Sequence, residues 1–393
     1  MRHFKYLIAG GGMTGDAAVR GIRELDTTGA IGLIGAEPDP PYARPPLSKA
    51  LWKGEPIESV WRKTSDLGVT LHLGHRAVAL DLRGKRLTDD RGVDASFDKL
   101  LLATGGTARR LPFGDDRVIY FRTLEDYRRL RALADQKKTF AVIGGGFIGS
   151  EIAAALAMQG CKVTMLFPDA GIGARVFPPD LASFLVGYYR DKGVDARPGV
   201  QVTGLSESGS AVVVEGKSGV RLSVDAVVAG IGIAPNTELA AGAGLEVQDG
   251  IVVDDHLRTS HPDVFAAGDV ARFNAPAMGS RIRVEHEDNA LHMGHAAGRA
   301  MAGDTTPYAH LPFFYSDLFD LGYEAVGELN PLGELVSDWK EPFREGVVYT
   351  LAGGRVRGVL LWNTWGQVDA ARALIAEPGP FEGADLRGRI QSH

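Results

Sequence analysis

The sequence predicts an α/β fold: two Rossmann-like dinucleotide-binding domains, each a doubly wound sheet, and a C-terminal α+β domain. Three observations predict it. The pattern Gly-x-Gly-x-x-Gly occurs twice, at 10–15 and 144–149, each time between an apolar strand and a helix of small residues. A further strand follows each helix and leads to an acid, Glu37 in the first case and Asp169 in the second. After residue 312 the sequence turns β-rich, with a hairpin around Gly353-Gly354. A chain of 393 residues has room for two or three domains.

Each element has a local reason. Residues 4–9 are mostly apolar, as a buried parallel strand requires. A helix over 13–23 and a strand over 30–35 complete the first unit. "PDPPYARPPLSKALW" (38–52) has four prolines within 40–46, which fix φ and stiffen a loop. "LSKALW" is then expected to start a helix. Residues 69–82 and 85–97 alternate apolar and polar residues around Arg83-Gly84-Lys85, as hairpins do. "DKLLLATGG" (98–106) reads as a buried strand ending in two glycines, and 122–136 as an amphipathic helix. The second unit repeats the first: strand 139–143, helix 147–159, strand 162–167. Strands are expected at 210–216 and 221–232, and at 264–273 a strand runs into a glycine turn. Residues 285–303 predict a helix with small residues along one side, and 345–363 a hairpin. The tail from 377 is polar and glycine-rich and is expected to be loose in part.

Composition excludes several functions. The net charge is −6, and the basic runs "ARR" (108–110) and "YRRLR" (127–131) are short, so nucleic acid is not an expected partner. Cys161 is the only cysteine, which rules out an internal disulfide, a CxxC redox pair and a cysteine metal cluster; a buried, inert thiol is expected. No apolar run reaches the ~18 residues of a membrane span. "MRHFKYLIAGGG" runs straight into the first strand, so no leader and a cytoplasmic location are expected. His292 and His295 show no metal spacing with acidic partners, and no metal site is expected.

In each fingerprint the first glycine allows a tight turn, the second lets backbone approach a pyrophosphate, and the third lets helix pack on strand. Gly10, Gly12 and Gly15 are followed by Glu37 22 residues after the last glycine, a spacing that suits a carboxylate accepting from a ribose. Gly144, Gly146 and Gly149 have a displaced acid, Asp169, two residues beyond Phe167. A carboxylate there favours NADH, since it repels a 2′-phosphate; Arg175 blurs that preference.

Two such sites on one chain point to two dinucleotides exchanging electrons. With "LLATGG" (101–106) and "VFAAGDVARF" (264–273), the fingerprints resemble the two-dinucleotide flavoproteins, the FAD-dependent pyridine nucleotide-disulfide oxidoreductases. "PYARPPLSKALW", "GGGFIGSEIA", "LFPDAG", "RVEHEDNA" and "YSDLFDLGYEAVGEL" narrow the resemblance to the apoptosis-inducing factor-like branch, beside the oxygenase-coupled ferredoxin reductases. "GVVYTLAGGRVRGVLLWN" is similar to that branch's C-terminal hairpin. The resemblance implies an FAD domain at 1–115 and 233–312, an NAD domain at 116–232 and a C-terminal domain at 313–393.

It also implies site residues. Gly10, Gly11, Gly12, Met13, Thr14 and Gly15 would hold FAD, with Glu37, Arg44, Lys49 and Ala77. Ala103, Thr104, Gly105 and Arg122 join them, as do Gly268, Asp269, His286 and Glu287. In that family the aspartate of the "GD" turn, here Asp269, bonds the ribityl chain. Gly144, Gly145, Gly146, Phe147, Ile148 and Gly149 would hold the nicotinamide nucleotide, with Asp169, Arg175, Gly232, Glu285, Glu324 and Asn363. Tyr315 would lie near both rings, where apoptosis-inducing factors carry tryptophan.

Chemistry assigns roles within that set. Hydride transfer needs nicotinamide and flavin on parallel planes at near-attack distance. Phe147, at the mouth of the second loop, could cover the flavin and yield to nicotinamide; the alternative is packing beneath its helix. A flavin that gains a hydride gains negative charge, which a fixed cation stabilises. Lys49 is assigned that role, held by Glu151 one turn into the second helix; the alternatives are a solvated lysine and a first-turn acid compensating the helix dipole. His286 is expected at the ring edge, tuning proton balance with a pKa near neutrality.

The reading is an FAD-dependent NADH oxidoreductase of the apoptosis-inducing factor-like kind, slow and redox-sensing, with a charge-transfer complex and dimerisation on reduction. The alternative is a reductase feeding a ferredoxin or rubredoxin; quinone and oxygen are further acceptors. The long insertions and basic DNA-binding surface of apoptosis-inducing factors are missing, so their apoptotic and nuclear roles do not carry over.

Overall fold

The structure is a computed structural model and describes residues 2–391. The chain forms two compact units. The first takes in the chain up to Arg44, then Pro56–Thr107 and Ala234–Pro312; the second takes in Pro45–Glu55, Ala108–Ile233 and the chain from Phe313 onward.

In the first unit, strands Val69–Leu73, Ile31–Gly35, Arg2–Ala9, Asp94–Leu102 and Val264–Ala266 run parallel in that order. Asp94–Leu102 is long enough to serve two partners on the edge away from Arg2–Ala9. Its start pairs antiparallel with Arg86–Asp89 and its end pairs parallel with Val264–Ala266. The hairpin around Arg83-Gly84-Lys85 joins Ala77–Asp81 to Arg86–Asp89. Val69–Leu73, however, pairs parallel with Ile31–Gly35 rather than forming a hairpin with its neighbour. Helix Met13–Leu25 packs on helix Glu287–Met301 through small residues. A Cβ at Gly298 would lie 2.0 Å from the Ala18 carbonyl oxygen, and one at Gly21 would lie 2.1 Å from that of His295. The small-residue side of the second helix is therefore a backbone-to-backbone contact.

Asp263 ties this unit together. Lys99 Nζ lies 2.5 Å and Lys85 Nζ 2.6 Å from its two carboxylate oxygens. Hydrogen bonds from Lys85 and then Lys99 pull its pKa down to about 2, against the burial that raises it. A carboxyl depressed on folding stabilises the fold above its unfolded pKa, and the contribution falls away as the pH drops towards the folded value. We expect Asp263→Asn to cost about 1 kcal/mol at neutral pH, after discount for solvent screening. Denaturant titration should find that difference about halved near pH 3.

The second unit has a five-stranded parallel sheet in the order Val194–Pro198, Lys162–Phe167, Thr139–Ile143, Ala226–Ala229, Val118–Tyr120. Ala141, Ile143, Leu166, Val227 and Val214 are buried in one cluster between this sheet and the antiparallel strands Val202–Ser208, Ala211–Gly216 and Arg221–Val224. The expected single strand over 221–232 is thus two strands in different sheets, since Asp225 turns the chain from the antiparallel sheet into the parallel one. A five-stranded antiparallel sheet follows, ordered Phe313–Leu318, Leu321–Gly327, Arg355–Trp362, Glu345–Ala352, Glu334–Glu341. Helix Val368–Ala376 buries Ala371, Leu374 and Ile375.

Two expectations need correction. "LSKALW" forms no α-helix: Pro45–Ser48 and Ala50–Lys53 are separate 3-10 turns, because Lys49, with φ −128° and ψ −93°, leaves the helical region between them. As far as residue 391 the tail is held in place. Helix Gly383–Leu386 is capped by Glu382 and Asp385, Leu386 and Ile390 are buried, and Gly388 N–H donates to Asp338 at 2.7 Å. Among the described residues no helix is long and apolar enough to cross a membrane.

Candidate functional site

In the first unit the glycine loop sits at the carboxyl ends of the parallel strands. Gly10 has φ +134°, and a Cβ there would lie 2.0 Å from the Ala103 carbonyl oxygen. A Cβ at Gly15 would lie 2.2 Å from the Gly10 carbonyl oxygen. Gly12 differs: a Cβ there would meet nothing within 4 Å. Gly12 also caps helix Met13–Leu25 with no side-chain hydrogen bond. No side chain caps the first turn of that helix, and the space beside Gly12 is open, which suits a pyrophosphate.

Several of the other residues expected for FAD lie in this unit, while Lys49 and Arg122 belong to the second. Gly11 lies against Gly35 at the end of the second strand, and a Cβ at Gly268 would lie 2.3 Å from Thr14 Oγ1. Asp269 follows in that turn. Met13 Sδ accepts from Arg44 N–H at 3.3 Å. Tyr42 donates to Glu37 Oε2 at 2.5 Å, and Arg44 donates both to Glu37 Oε1 and to Tyr42 Oη. Each Glu37 oxygen keeps acceptor capacity for a ribose hydroxyl. Thr104 and Gly105 are fixed by Asn236, whose side chain donates to the Thr104 carbonyl at 2.8 Å and whose N–H donates to that of Gly105 at 2.9 Å. Ala77 opens the half-buried strand Ala77–Asp81. Arg283 holds Glu285 at 2.8 Å. His286 is the N-cap of helix Glu287–Met301. Burial pushes its pKa down to about 4, overriding Asp269 and Asp288. The expectation that it titrates near neutrality is corrected: it is a neutral imidazole at physiological pH.

The second unit repeats the cradle. Gly144 has φ +117° with its Cβ position 2.3 Å from the Gly230 carbonyl oxygen, and that of Gly149 lies 2.1 Å from the Gly144 carbonyl oxygen. Gly146 again has nothing within 4 Å and caps its helix, Phe147–Met158, without a side-chain bond. Gly145 packs on the Phe167 ring and accepts from Gly173 N–H at 2.8 Å. Gly146, Phe147 and Ile148 are exposed, and Phe147 meets Phe314 with ring centroids 5.3 Å apart. Phe147 is therefore no core aromatic beneath its helix. Asp169 lies 3.7 Å from the largely exposed Arg175. Gly232, with φ +90°, accepts from Arg109 N–H at 2.9 Å. Arg122 N–H donates to Asp126, beside the capping box of helix Leu124–Asp135.

Glu151 is the centre of the polar core. It is 4% exposed, and three groups donate to its carboxylate. Lys49 Nζ lies 2.7 Å and Ser316 Oγ 2.6 Å from Oε1, while Ser48 Oγ lies 2.5 Å from Oε2. Lys49 Nζ also stands 5.3 Å from the Tyr315 ring centroid. A buried ammonium held at fixed length by a carboxylate and an aromatic face is a preorganised positive charge. Across the strand pair, Tyr315 is in register with Glu324. Burial raises the Glu324 pKa, opposed by the Gly366 N–H at 3.0 Å. The Asn363 side chain accepts from Gly322 N–H and donates to the Arg344 carbonyl, two bonds that hold it in place.

Sequence reasoning missed Ser48, Ser316, Tyr42 and Phe314. The first two stand next to Lys49 and Tyr315, so adjacency to an assigned residue was the one signal available. The reading of His292 as lacking an acidic partner is also corrected: Asp288 lies one helical turn before it, and His310 joins them.

Known proteins resemble the whole chain. Residues 4–294 match the family described as pyridine nucleotide-disulphide oxidoreductase. The 5,5'-dehydrodivanillate O-demethylase ferredoxin reductase subunit of Sphingobium sp. is 38% identical, with 96% of this chain and 94% of that protein covered. Apoptosis-inducing factor 1, mitochondrial, of Dictyostelium discoideum is 32% identical over 97% of this chain and 80% of that protein. The crystal structure of the covalent putidaredoxin reductase–putidaredoxin complex matches with a TM-score of 0.90 at 31% identity, covering 98% of this chain and 96% of that one.

Proposed function

The chain belongs to the pyridine nucleotide-disulphide oxidoreductase family, and we propose that it carries electrons from NADH through FAD to a ferredoxin-type iron–sulfur protein. It is an FAD-dependent NAD(P)H oxidoreductase of the branch that holds ferredoxin reductases and apoptosis-inducing factors. The observation that carries the proposal is the pair of open glycine cradles, one with Glu37 and Asp269 nearby, the other with Asp169 and the buried Lys49–Glu151 pair. The acceptor rests on relatives named as ferredoxin reductases that correspond to this chain over nearly their full length. Despite the family's name, a disulfide relay has no support within these 393 residues, which contain one cysteine.

FAD, when bound, supplies a ring that accepts two electrons together and releases them singly, which suits a one-electron acceptor. The chain's residues do the rest. The N–H groups after Gly12 and Gly146 hold the pyrophosphates of FAD and NADH. Glu37 accepts from the FAD ribose, Asp269 from the ribityl chain, and Asp169 from the adenine ribose of NADH. Lys49 offers the flavin a fixed cation, with Glu151, Ser48 and Ser316 keeping it in place. Phe147 would cover the flavin ring when no nicotinamide is bound, and Glu285, Glu324 and Asn363 would orient the nicotinamide end. We assign 1–115 with 233–312 to FAD, 116–232 to NADH and 313–393 to the C-terminal domain, in a cytoplasmic protein that dimerises on reduction.

A second reading is a slow redox sensor with a long-lived charge-transfer complex. It is favoured by the similarity of "YSDLFDLGYEAVGEL" and the 345–363 hairpin to apoptosis-inducing factors. Anaerobic stopped-flow reduction by NADH, followed by mixing with a [2Fe–2S] ferredoxin, quinone or air, separates the two. Fast reoxidation by ferredoxin alone is expected. Reoxidation no faster than in air, with a persistent long-wavelength band, supports the sensor instead.

The nucleotide preference has its own test. Replacing Asp169 by alanine removes the charge that repels a 2′-phosphate. The kcat/KM ratio of NADH to NADPH should fall roughly tenfold, equivalent to about 1.4 kcal/mol.

A further inference from the structure

We propose that Asp288, His292 and His310 form a binding site for a zinc-class divalent cation at the start of helix Glu287–Met301. Two imidazoles converge on one carboxylate. His310 Nε2 lies 2.5 Å from Asp288 Oδ2, and His292 Nε2 lies 3.4 Å from Asp288 Oδ1. The two rings stack with centroids 4.0 Å apart and planes 20° from parallel. One potential ligand atom from each residue lies within 4.8 Å of the other two. Two neutral nitrogens and a carboxylate are the protein donor set of an open zinc site, which leaves a position for water. The Irving–Williams order adds copper(II) as a competitor.

The site is built rather than accidental. Asp288 and His292 are four apart on one helix and therefore share a face. His310 comes from the segment after that helix, and its position is fixed from behind. Tyr308 donates to Asn289 Oδ1 at 3.0 Å, its N–H donates to the Asp255 carbonyl at 2.7 Å, and its ring packs edge-on against Phe273. A cation would meet ligands already ordered, so little binding energy is lost to arranging them. Exposure is graded to suit. The Asp288 side chain is 8% exposed, His310 20% and His292 58%, so the anion is sheltered while the outer histidine can swing to close the coordination sphere. The needed adjustment is small, because zinc–nitrogen bonds of about 2.0–2.1 Å require donor atoms roughly 3.4 Å apart in a tetrahedral site.

The place gives the cation a consequence. Asp288 is two residues from His286 and adjacent to Glu287, both assigned above to the FAD site. A divalent charge there would stand beside the His286–Glu287 end of that helix, so metal occupancy would bear on the FAD-holding side of this unit.

The test uses the full-length, FAD-loaded protein, treated with chelator and dialysed. Zinc chloride is titrated calorimetrically in a non-coordinating buffer against wild type, His292→Ala, His310→Gln and His295→Ala. His295 pairs with Glu24 away from the cluster and serves as control. His292 is exposed, so its variant should fold; flavin absorbance and circular dichroism check this. The expected result is zinc binding weakened on the order of tenfold or more in His292→Ala and His310→Gln. His295→Ala should bind as wild type does. Wild type that takes up no zinc, or His292→Ala that binds it with unchanged affinity, overturns the proposal.

Discussion

Glu151→Ala is expected to have the largest effect of any single substitution in the polar core. It removes the shared acceptor of Lys49, Ser48 and Ser316 and leaves an ammonium that is 12% exposed without its counter-charge. Breaking a buried ion pair from one side costs about 3–5 kcal/mol, much of it the desolvation of the orphaned charge. Lys49 would then swing towards water, away from the Tyr315 ring. Under our reading the rate of flavin reduction by NADH falls about 100-fold, the size of effect seen when one preorganised electrostatic group is lost. Glu151→Gln separates the two consequences. It preserves shape and one acceptor oxygen but not the charge, so it should recover part of the stability and little of the rate. Denaturant midpoints and anaerobic stopped-flow traces measure both. A Glu151→Gln enzyme reduced as fast as wild type would remove Glu151 from the electron-transfer machinery and leave it a structural acid.

The second large effect is expected at Gly149. A methyl group there would sit 2.1 Å from the Gly144 carbonyl oxygen, which is backbone and cannot rotate aside. Either the loop 144–149 or the start of helix Phe147–Met158 must move. Binding geometry displaced by about 1 Å costs on the order of 100-fold in rate. We expect Gly149→Ala to lose kcat/KM for NADH by about that factor, while flavin content and reduction by dithionite stay near wild type. The first loop offers the mirror experiment. At Gly15 the same methyl would lie 2.2 Å from the Gly10 carbonyl oxygen, and FAD rather than NADH should be lost. If Gly149→Ala also strips the flavin, the division of labour between the loops is wrong.

Much of the fold was legible because both βαβ units are local. A strand, a Gly-x-Gly-x-x-Gly turn and a helix are fixed by residues within about ten positions of each other, and steric demands at Gly10 and Gly144 allow no other side chain. The hairpin at 345–363 was legible for the same reason, since alternation and a Gly-Gly turn set its register. Reading failed where a distant partner chose the outcome. Val69–Leu73 joins the parallel sheet because Ile31–Gly35 offers it an edge. The tail is ordered because Asp338, fifty positions away, caps it.

The candidate site divides along the same line. The sequence by itself determined the two cradles, the acids Glu37 and Asp169, and the glycine-rich turn carrying Asp269, since each depends on spacing within one supersecondary unit. Only the tertiary structure decided what surrounds Glu151. Ser48 and Lys49 are more than one hundred positions from it in one direction and Ser316 is 165 in the other, and no periodicity links them. Tertiary structure likewise decided that His286 is neutral and that His310 meets Asp288 and His292. A pKa and a ligand set are properties of the dielectric and the charges around a group, and those are fixed only when remote segments of the chain are packed against it.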